Sequence, residues 1–197
     1  EIHQGGELGE DAVSFKWSRD NGAVVFSIEE FVAGEPTKVK VRRLRRDQVL
    51  ALREQDWVEV LDDATELHGE PGALVKIDHI DEAKQNLTLS QAVSGDPDGH
   101  PRVRRWDQSS DAIPVTTSAF VQLEDGVEVR FSGSKFQSGD YWVFAARTAT
   151  RSIEVLEEAP RRGIIHHTCP LALIEWKEVD KSEGDGGELS RVVVLEK

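Results

Sequence analysis

The sequence predicts an all-β, mainly antiparallel fold, with a β-sandwich or barrel-like body, a small β-barrel-like insert and one or two short helices. Three observations lead to this prediction. Short runs in which apolar and polar residues alternate recur along the 197-residue chain. Turn residues, mainly Gly, Asn and Asp, separate these runs. Only one stretch in the first half, residues 48–54, is a good helical candidate.

The first predicted element is a hairpin, which starts the β body and occupies residues 1–36. Apolar residues alternate with polar ones over residues 13–18 and again over residues 24–28. Between these runs, Asn21 and Gly22 tolerate the positive φ angles of a two-residue turn. This is the strongest hairpin signal in the chain.

Residues 37–95 are predicted to form the small barrel-like insert, which begins with an exposed strand over residues 38–44. Lysine and arginine alternate there with Val39 and Val41, so the charged and apolar side chains lie on opposite faces. Asp47 can then cap the short helix over residues 48–54.

The second part of the insert consists of a predicted strand over residues 57–60 and a hairpin formed by residues 74–80 and 87–89. Together these three strands could close a small barrel. A polar linker rich in Pro, Gly and Asp, residues 96–101, then separates the insert from the main body.

The main β body is predicted over residues 102–197. Gly126 marks the turn of a hairpin over residues 120–131. Residues 141–146 are apolar at consecutive positions, which predicts a central strand covered on both faces. Residues 191–195 are predicted to form a closing strand.

Composition limits the partners of this chain. The net charge of −13 argues against nucleic acid, because phosphate binding requires clustered Lys and Arg. The sequence contains no apolar run long enough to span a membrane. The single cysteine, Cys169, cannot form an internal disulfide, which fits folding in a reducing cytoplasm.

Five residues are candidates for binding: Arg104, Arg105, Trp106, Asp107 and Trp142. An arginine can lie on an indole face while the neighbouring aspartate holds a turn. If the tryptophans are exposed, their rings could form a platform for a sugar. The preferred interpretation is that they belong to the core, since ring burial dominates core energetics.

Two basic islands, residues 42–46 and 102–105, interrupt the acidic composition. Pairing with carboxylates is the favoured interpretation, within the chain or across a subunit contact, because arginine binds carboxylates bidentately. A phosphate-binding site is the alternative. It would need aromatic residues among the arginines, and Trp106 is the only one in place.

No catalytic residue and no metal site are predicted. His167 and Cys169 would share one face of a strand and are the candidate metal ligands, but further ligands are missing nearby. Residues 96–99 and 183–186 combine acids with glycine, so Ca²⁺ is a possible cofactor, although turns are the preferred interpretation. A hydrolase would need Cys169 or a pair of carboxylates brought together by the fold.

A family resemblance is carried by four tryptophan-centred segments, residues 14–22, 56–60, 104–108 and 139–147. They are followed by a segment with two histidines, residues 164–167, and an apolar segment, residues 170–173. In this order they resemble a family of uncharacterised bacterial proteins encoded beside phage-tail-like contractile injection genes. Members of that family usually begin upstream with a Met-initiated segment, so this chain, which contains no methionine, is expected to be an internal piece. The resemblance supplies no catalytic residues.

The resemblance implies a structural or interaction module of a phage-tail-like contractile particle, which presents β surfaces to other subunits or to copies of itself. Such a protein is expected to be made in the cytoplasm and released in an extracellular particle. The alternative is a module that binds a surface glycan or receptor through exposed tryptophans. A hydrolase is the third hypothesis.

Overall fold

The computed structural model describes residues 1–44, 50–147, 149–163 and 169, and the strands Leu173–Glu178 and Ser190–Glu196. The elements are, in chain order, β1 (Ile2–Gln4), β2 (Gly6–Glu7), β3 (Ser14–Phe15), β4 (Val25–Phe31), β5 (Lys38–Val41), β6 (Trp57–Leu61), α1 (Asp63–His68), β7 (Ala73–Asp81), β8 (Asn86–Leu89), β9 (Arg102–Trp106), β10 (Ile113–Pro114), β11 (Val121–Gln122), β12 (Glu128–Val129), β13 (Lys135–Phe136), β14 (Ala146–Arg147), β15 (Ser152–Ile153), β16 (Leu173–Glu178) and β17 (Ser190–Glu196). In the part of the chain that the structure describes, antiparallel strands predominate and the helix is a single short one, which confirms the predicted all-β, mainly antiparallel fold. The chain divides into two units, Glu1–Ile164 and Ile165–Lys197.

Six antiparallel strands of the first unit close into a barrel in the order β4-β5-β8-β7-β6-β9. The barrel closes because β9 pairs with both β4 and β6, so that Arg104 lies opposite Val25 on one side and Glu59 on the other. Inward-facing positions on the strands are filled mainly by β-branched residues, which suit a pleated, packed surface. Fully buried examples are Val39, Val41, Val58, Ile77 and Val103.

The barrel takes strands from both sides of the predicted insert. β4 precedes residues 37–95 and β9 follows them, while residues 96–101 lie in the connection from β8 to β9. Since β9 carries the closing hydrogen bonds, the barrel is complete only when the segment after this connection returns to it.

Two predicted hairpins are confirmed. β7 and β8 pair antiparallel across the connecting loop. β11 and β12 pair around Asp125 and Gly126, whose φ angles of 47° and 82° fit a turn that requires positive φ at both positions. The predicted alternation in β5 is also confirmed, because Val39 and Val41 are buried and Lys38 and Lys40 are not.

The predicted pairing of residues 13–18 with residues 24–28 is wrong, although the turn between them exists. Its last two residues, Asn21 and Gly22, have φ angles of 54° and 64°. Instead of bonding to each other, the two arms bond to the end of β9. The Asp107 amide donates to the Trp17 carbonyl at 3.0 Å, and the Arg105 amide donates to the carbonyl at position 24 at 2.9 Å. Long-range pairing therefore overrides the local turn signal.

The predicted helix over residues 48–54 is not observed in its described part, residues 50–54, which form coil and a turn. Among the described residues of the first unit, the helix is instead α1. Asp62 caps its first turn by accepting a hydrogen bond from the Thr65 amide at 2.9 Å, and Gly69 ends it with a left-handed φ of 67°.

A second core lies in the β body beside the barrel, where β1, β3 and β10 form one sheet and β2 pairs with β13. Its buried members are Ile2, Val13, Phe15, Val115 and Phe136. The Phe131 ring contacts three other rings, with centroid distances of 5.0 Å to Phe15, 5.9 Å to Phe136 and 5.6 Å to Trp142. Aromatic packing of this kind stabilises a core made of short strands.

The prediction that residues 141–146 form a central, doubly covered strand is wrong. Tyr141 and Val143 are 38% and 37% exposed, and only Ala146 of this run lies in a strand, β14. The run belongs to a hairpin with apolar residues on both faces, a pattern that does not by itself indicate burial. In the second unit, β16 and β17 pair antiparallel, and β17 contains the predicted strand over residues 191–195.

Candidate functional site

The predicted binding residues around Trp106 lie at the end of β9, and the Trp106 ring is buried, with 4% of its surface exposed. Its Nε1 donates a hydrogen bond of 3.0 Å to Glu59 Oε2. The Lys16 ammonium lies 4.6 Å from the ring centroid. The cation on this indole is therefore Lys16, whereas the sequence had suggested Arg105.

Glu59 is the centre of this buried arrangement and is 2% exposed. Its Oε1 accepts hydrogen bonds from Lys16 Nζ at 2.6 Å and from the Gly72 amide at 3.2 Å. Burial alone would raise the pKa of Glu59, but the neighbouring His3 and the charge and hydrogen bond of Lys16 lower it to about 2. Glu59 is therefore ionised in the folded protein at neutral pH.

We call Glu59, Lys16, Trp106 and Gly72 the Glu59 cluster. Lys16 follows β3 of the β body, Glu59 lies in β6 and Trp106 ends β9, so the cluster joins the body to the barrel. Both carboxylate oxygens have donors and the side chains are buried, which leaves no open position for a substrate. The cluster acts as an anchor between the two cores.

The arginines of β9 are paired with carboxylates within the chain, as favoured from the sequence. Arg102 pairs with Asp63 at 2.8 Å and with Glu66, Arg104 with Glu66 at 3.1 Å, and Arg105 with Asp20 at 3.2 Å. Asp107 accepts a hydrogen bond from the Arg19 amide at 2.8 Å, which holds the segment leading into the turn at residues 20–22. The charged side chains at this end of β9 therefore form ion pairs and hydrogen bonds within the chain.

Trp142 occupies a different place, at the root of an exposed hairpin over residues 141–162 that we call the ribbon. The ring is half-buried against Phe131, and its Nε1 donates to the Ala159 carbonyl at 2.9 Å. The backbones of Tyr141 and Arg162 exchange hydrogen bonds of 3.0 and 2.9 Å. Farther out, β14 pairs with β15.

The ribbon exposes apolar side chains that a folded protein normally covers. Every described residue from position 146 to position 158 is exposed. Among the apolar residues of the ribbon, Val143 is 37%, Ile153 43%, Val155 76% and Leu156 39% exposed. Single exposed apolar residues are common, but four on one short hairpin are typical of an interaction surface.

Several charges of the ribbon also lack ion-pair partners, although Arg161 at its base pairs with Asp140 at 2.8 Å. Residues 141–162 carry four arginines and three glutamates, a net charge of +1, whereas the whole chain carries −13. Within the described residues, Arg147, Arg151, Glu157 and Glu158 form no ion pair, in contrast to the arginines of β9. The ribbon therefore presents apolar groups together with unpaired charges of both signs.

Sequence reasoning did not identify the ribbon as a functional surface, although a signal for it was present. A mainly polar stretch, residues 147–152, lies between the apolar run 141–146 and the segment 153–156, of which three residues in four are apolar. Two apolar runs joined by a short polar stretch are typical of a hairpin. The exposure of that hairpin, however, depends on what surrounds it in the fold.

Among the described residues, no group of three or more His, Cys, Asp or Glu side chains is positioned to hold a metal ion. Cys169 is exposed, and His167 lies outside the described residues. In the first candidate calcium loop, Asp96 Oδ1 accepts a hydrogen bond from the Asp98 amide at 3.0 Å, which forms a local turn. The second loop, residues 183–186, is also outside the described part.

A groove of about 170 Å³ lies at one end of the barrel beside α1, lined in part by Phe31, Asp62 and Gly95. This volume is below the roughly 300–1,000 Å³ of most small-molecule sites. Asp62 accepts hydrogen bonds from the side chain and amide of Thr65 and from the Asp96 amide, which lower its pKa to about 2. The Asp62 carboxylate is thus already engaged in capping α1.

A family model described as "Family of unknown function (DUF6519)" matches residues 1–161, so the chain belongs to that family. The match covers the barrel, the β body and nearly all of the ribbon. Comparisons with curated proteins and with solved structures found no match. Within the described residues, no helix has the length and apolar character needed to cross a membrane.

Proposed function

For this member of the family, we propose a non-catalytic structural role in a phage-tail-like contractile particle, in which the ribbon contacts a neighbouring subunit. The observation that carries this proposal is the ribbon itself. It exposes Val143, Ile153, Val155 and Leu156, and its charged residues include several without partners. A surface of this composition is stabilised when another protein covers it.

The setting of the proposal comes from the sequence resemblance of residues 14–22, 56–60, 104–108 and 139–147 to proteins encoded beside contractile injection genes. In that setting the chain is made in the cytoplasm and leaves the cell as part of a particle. The rest of the first unit serves as a rigid support, since the barrel and the β body each have their own core.

The buried state of Trp106 is the reason the proposal uses the ribbon and not the tryptophans. A glycan or receptor platform needs open ring faces, but Trp106 is 4% exposed and Lys16 lies on its ring. Trp142 packs against Phe131 and anchors the ribbon from below. Both rings support the structure that carries the surface.

The test is to express the protein together with its neighbouring tail genes, purify the assembled particles and measure how much of the protein they contain. We expect stoichiometric incorporation of the wild type and loss of incorporation when Ile153→Lys and Val155→Lys are combined. Leu67→Lys is the matched control, because Leu67 is 73% exposed on α1, far from the ribbon in sequence.

Retention of the control together with loss of the double variant would support the proposal. If wild-type protein stays free of the particles, or if the ribbon variant is incorporated as well as the wild type, the proposal is wrong. Circular dichroism of each variant would verify that the fold is intact.

A further inference from the structure

We infer that the ribbon pairs with the ribbon of a second copy of this chain, in an antiparallel arrangement about a two-fold axis. The inference rests on the proposed function, because it names the partner of the surface assigned there. It is carried by three properties of the ribbon, namely its charge order, its net charge and its unpaired strand edges.

The order of charges along the ribbon is self-complementary. Arg147 and Arg151 lie near its tip, whereas Glu157 and Glu158 lie on the returning arm, closer to the root. When two identical ribbons align antiparallel, the basic tip of each lies beside the acidic stretch of the other. A two-fold contact makes this exchange twice, so both pairs of unpartnered charges gain a partner.

The net charge of the ribbon also favours the ribbon, over the rest of the surface, as the place where two copies of this chain make contact. Two copies with a charge of −13 each repel one another over most of their surfaces. The ribbon carries +1, so the remaining 175 residues (197 − 22) carry −14. At a ribbon-to-ribbon contact the two net charges of +1 are small and the charge order places opposite charges together, whereas a contact elsewhere would bring together surfaces that share the remaining −14.

The strand edges of the ribbon fit the same partner. β14 and β15 form a two-stranded sheet, so within the described residues each has an outer edge with no paired strand. Two-stranded sheets are marginally stable alone, and such edges accept a strand from another molecule. Edge-to-edge pairing of two ribbons would give a four-stranded sheet, which brings Ile153 and Val155 of each copy against the other.

The first test is the molar mass of the purified 197-residue chain, measured by sedimentation equilibrium over a micromolar to millimolar range at moderate ionic strength, which screens the repulsion between the acidic surfaces. We expect a concentration-dependent species with twice the 22.0 kDa mass of one chain. Ile153→Lys combined with Val155→Lys should leave only monomer, whereas Leu67→Lys should dimerise as the wild type does.

The sharper test is a charge exchange between two variants. One variant reverses the tip (Arg147→Glu with Arg151→Glu), and the other reverses the returning arm (Glu157→Arg with Glu158→Arg). Each variant alone places like charges together in the two-fold contact and should be monomeric. Mixed together, they restore opposite charges at both ends and should form a heterodimer, detected by capture through an affinity tag on one of them.

Three outcomes would overturn the inference. The wild type could be monomeric throughout the range, the ribbon variants could dimerise as strongly as the wild type, or the mixed charge variants could fail to associate. If the wild type is monomeric but the ribbon variant is lost from particles, the partner is a different subunit and the proposed function stands. If the dimer forms but the chain never enters particles, the proposed function fails while the pairing itself holds.

Discussion

The end of β9 and the ribbon are built from the same kinds of residues but use them in opposite ways. Both contain tryptophan, arginine and acidic residues within short segments. At β9 the Trp106 ring is buried and each arginine has a carboxylate partner in the chain. On the ribbon, apolar side chains are exposed, and Arg147 and Arg151 form no ion pair within the described residues.

This difference shows that residue type alone does not decide whether a segment stabilises the fold or binds another molecule. The Glu59 cluster joins two cores, and the loss of one member leaves another buried group without its partner. The ribbon borders a single core at its root. Substitutions in the Glu59 cluster should therefore change the free energy of unfolding, while substitutions on the ribbon should change association.

The largest effect is expected for Glu59→Ala. It removes the acceptor of the Trp106 indole nitrogen and leaves the Lys16 ammonium, 4% exposed, with the Glu1 carboxylate at 3.1 Å as its partner. Breaking a buried ion pair lowers stability by about 3–5 kcal/mol, and the remaining Glu1 contact places the expected loss at about 3 kcal/mol. Urea unfolding followed by tryptophan fluorescence would measure the loss.

The control for this prediction is Glu59→Leu combined with Lys16→Met, which removes both charges and keeps apolar volume. We expect it to recover much of the stability lost in Glu59→Ala, because replacing both members of a buried pair is often neutral. Equal losses in the two variants would show that packing and not charge pairing determines stability at this site.

Low pH should weaken the Glu59 cluster. The pKa of Glu59 is about 2 in the folded protein against an ordinary value of 4.5, so its contribution is complete above about pH 4.5 and is lost as the pH falls toward 2. A depression of this size corresponds to about 3 kcal/mol at 1.36 kcal/mol for each pH unit. Unfolding free energies measured between pH 7 and pH 2 should fall more steeply for the wild type than for Glu59→Gln. Parallel pH profiles would contradict the assignment.

A smaller effect is expected for Gly72→Ala. A Cβ atom at this position would lie 2.6 Å from the Val60 carbonyl oxygen and 2.7 Å from Glu59 Cγ, so the backbone or the Glu59 cluster must shift. Overpacking of this kind lowers stability by about 1–3 kcal/mol. Gly99→Ala is a suitable control, because its nearest contacts, at 3.2 Å and beyond, belong to the Asp96 side chain. Thermal unfolding of the two variants should separate them.

The smallest change in stability is expected for Val155→Lys. Val155 is 76% exposed, and exposed substitutions away from caps and cores usually change stability by less than about 0.5 kcal/mol. The unfolding free energy should be measured at a concentration where the wild type is monomeric, so that association does not contribute. A loss comparable to that of Gly72→Ala would mean that Val155 belongs to a core, and the comparison between the two regions would fail.

Local patterns predicted the elements whose pairing is itself local. The hairpins β7–β8 and β11–β12 form where alternation and turn residues place them. The turn at residues 20–22 carries an equally clear signal, yet its arms bond to β9, about 80 residues later in the chain. Its conformation was predictable, and its hydrogen-bond partners were not, because they belong to a distant strand.

The same limit applies to the candidate site. The arginines of residues 102–105 were expected to pair with acids, and they do. Glu59 and Lys16 carry no signal as a pair, since 43 residues separate them and neither belongs to a recognisable motif. The first arm of the ribbon, residues 141–146, is predicted from its sequence to be a core strand because apolar residues at consecutive positions are compatible with burial on both faces and with exposure on both.

The sequence by itself determined the class of fold, the local hairpins and the net charge. Alternation and turn chemistry act over short distances along the chain, and the net charge follows from composition alone. Only the tertiary structure decided the closure of the barrel by β9, the burial of Glu59 between two cores and the exposure of the ribbon. Each of these depends on which distant segments meet, and solvent exposure is a property of the assembled surface and not of any residue taken alone.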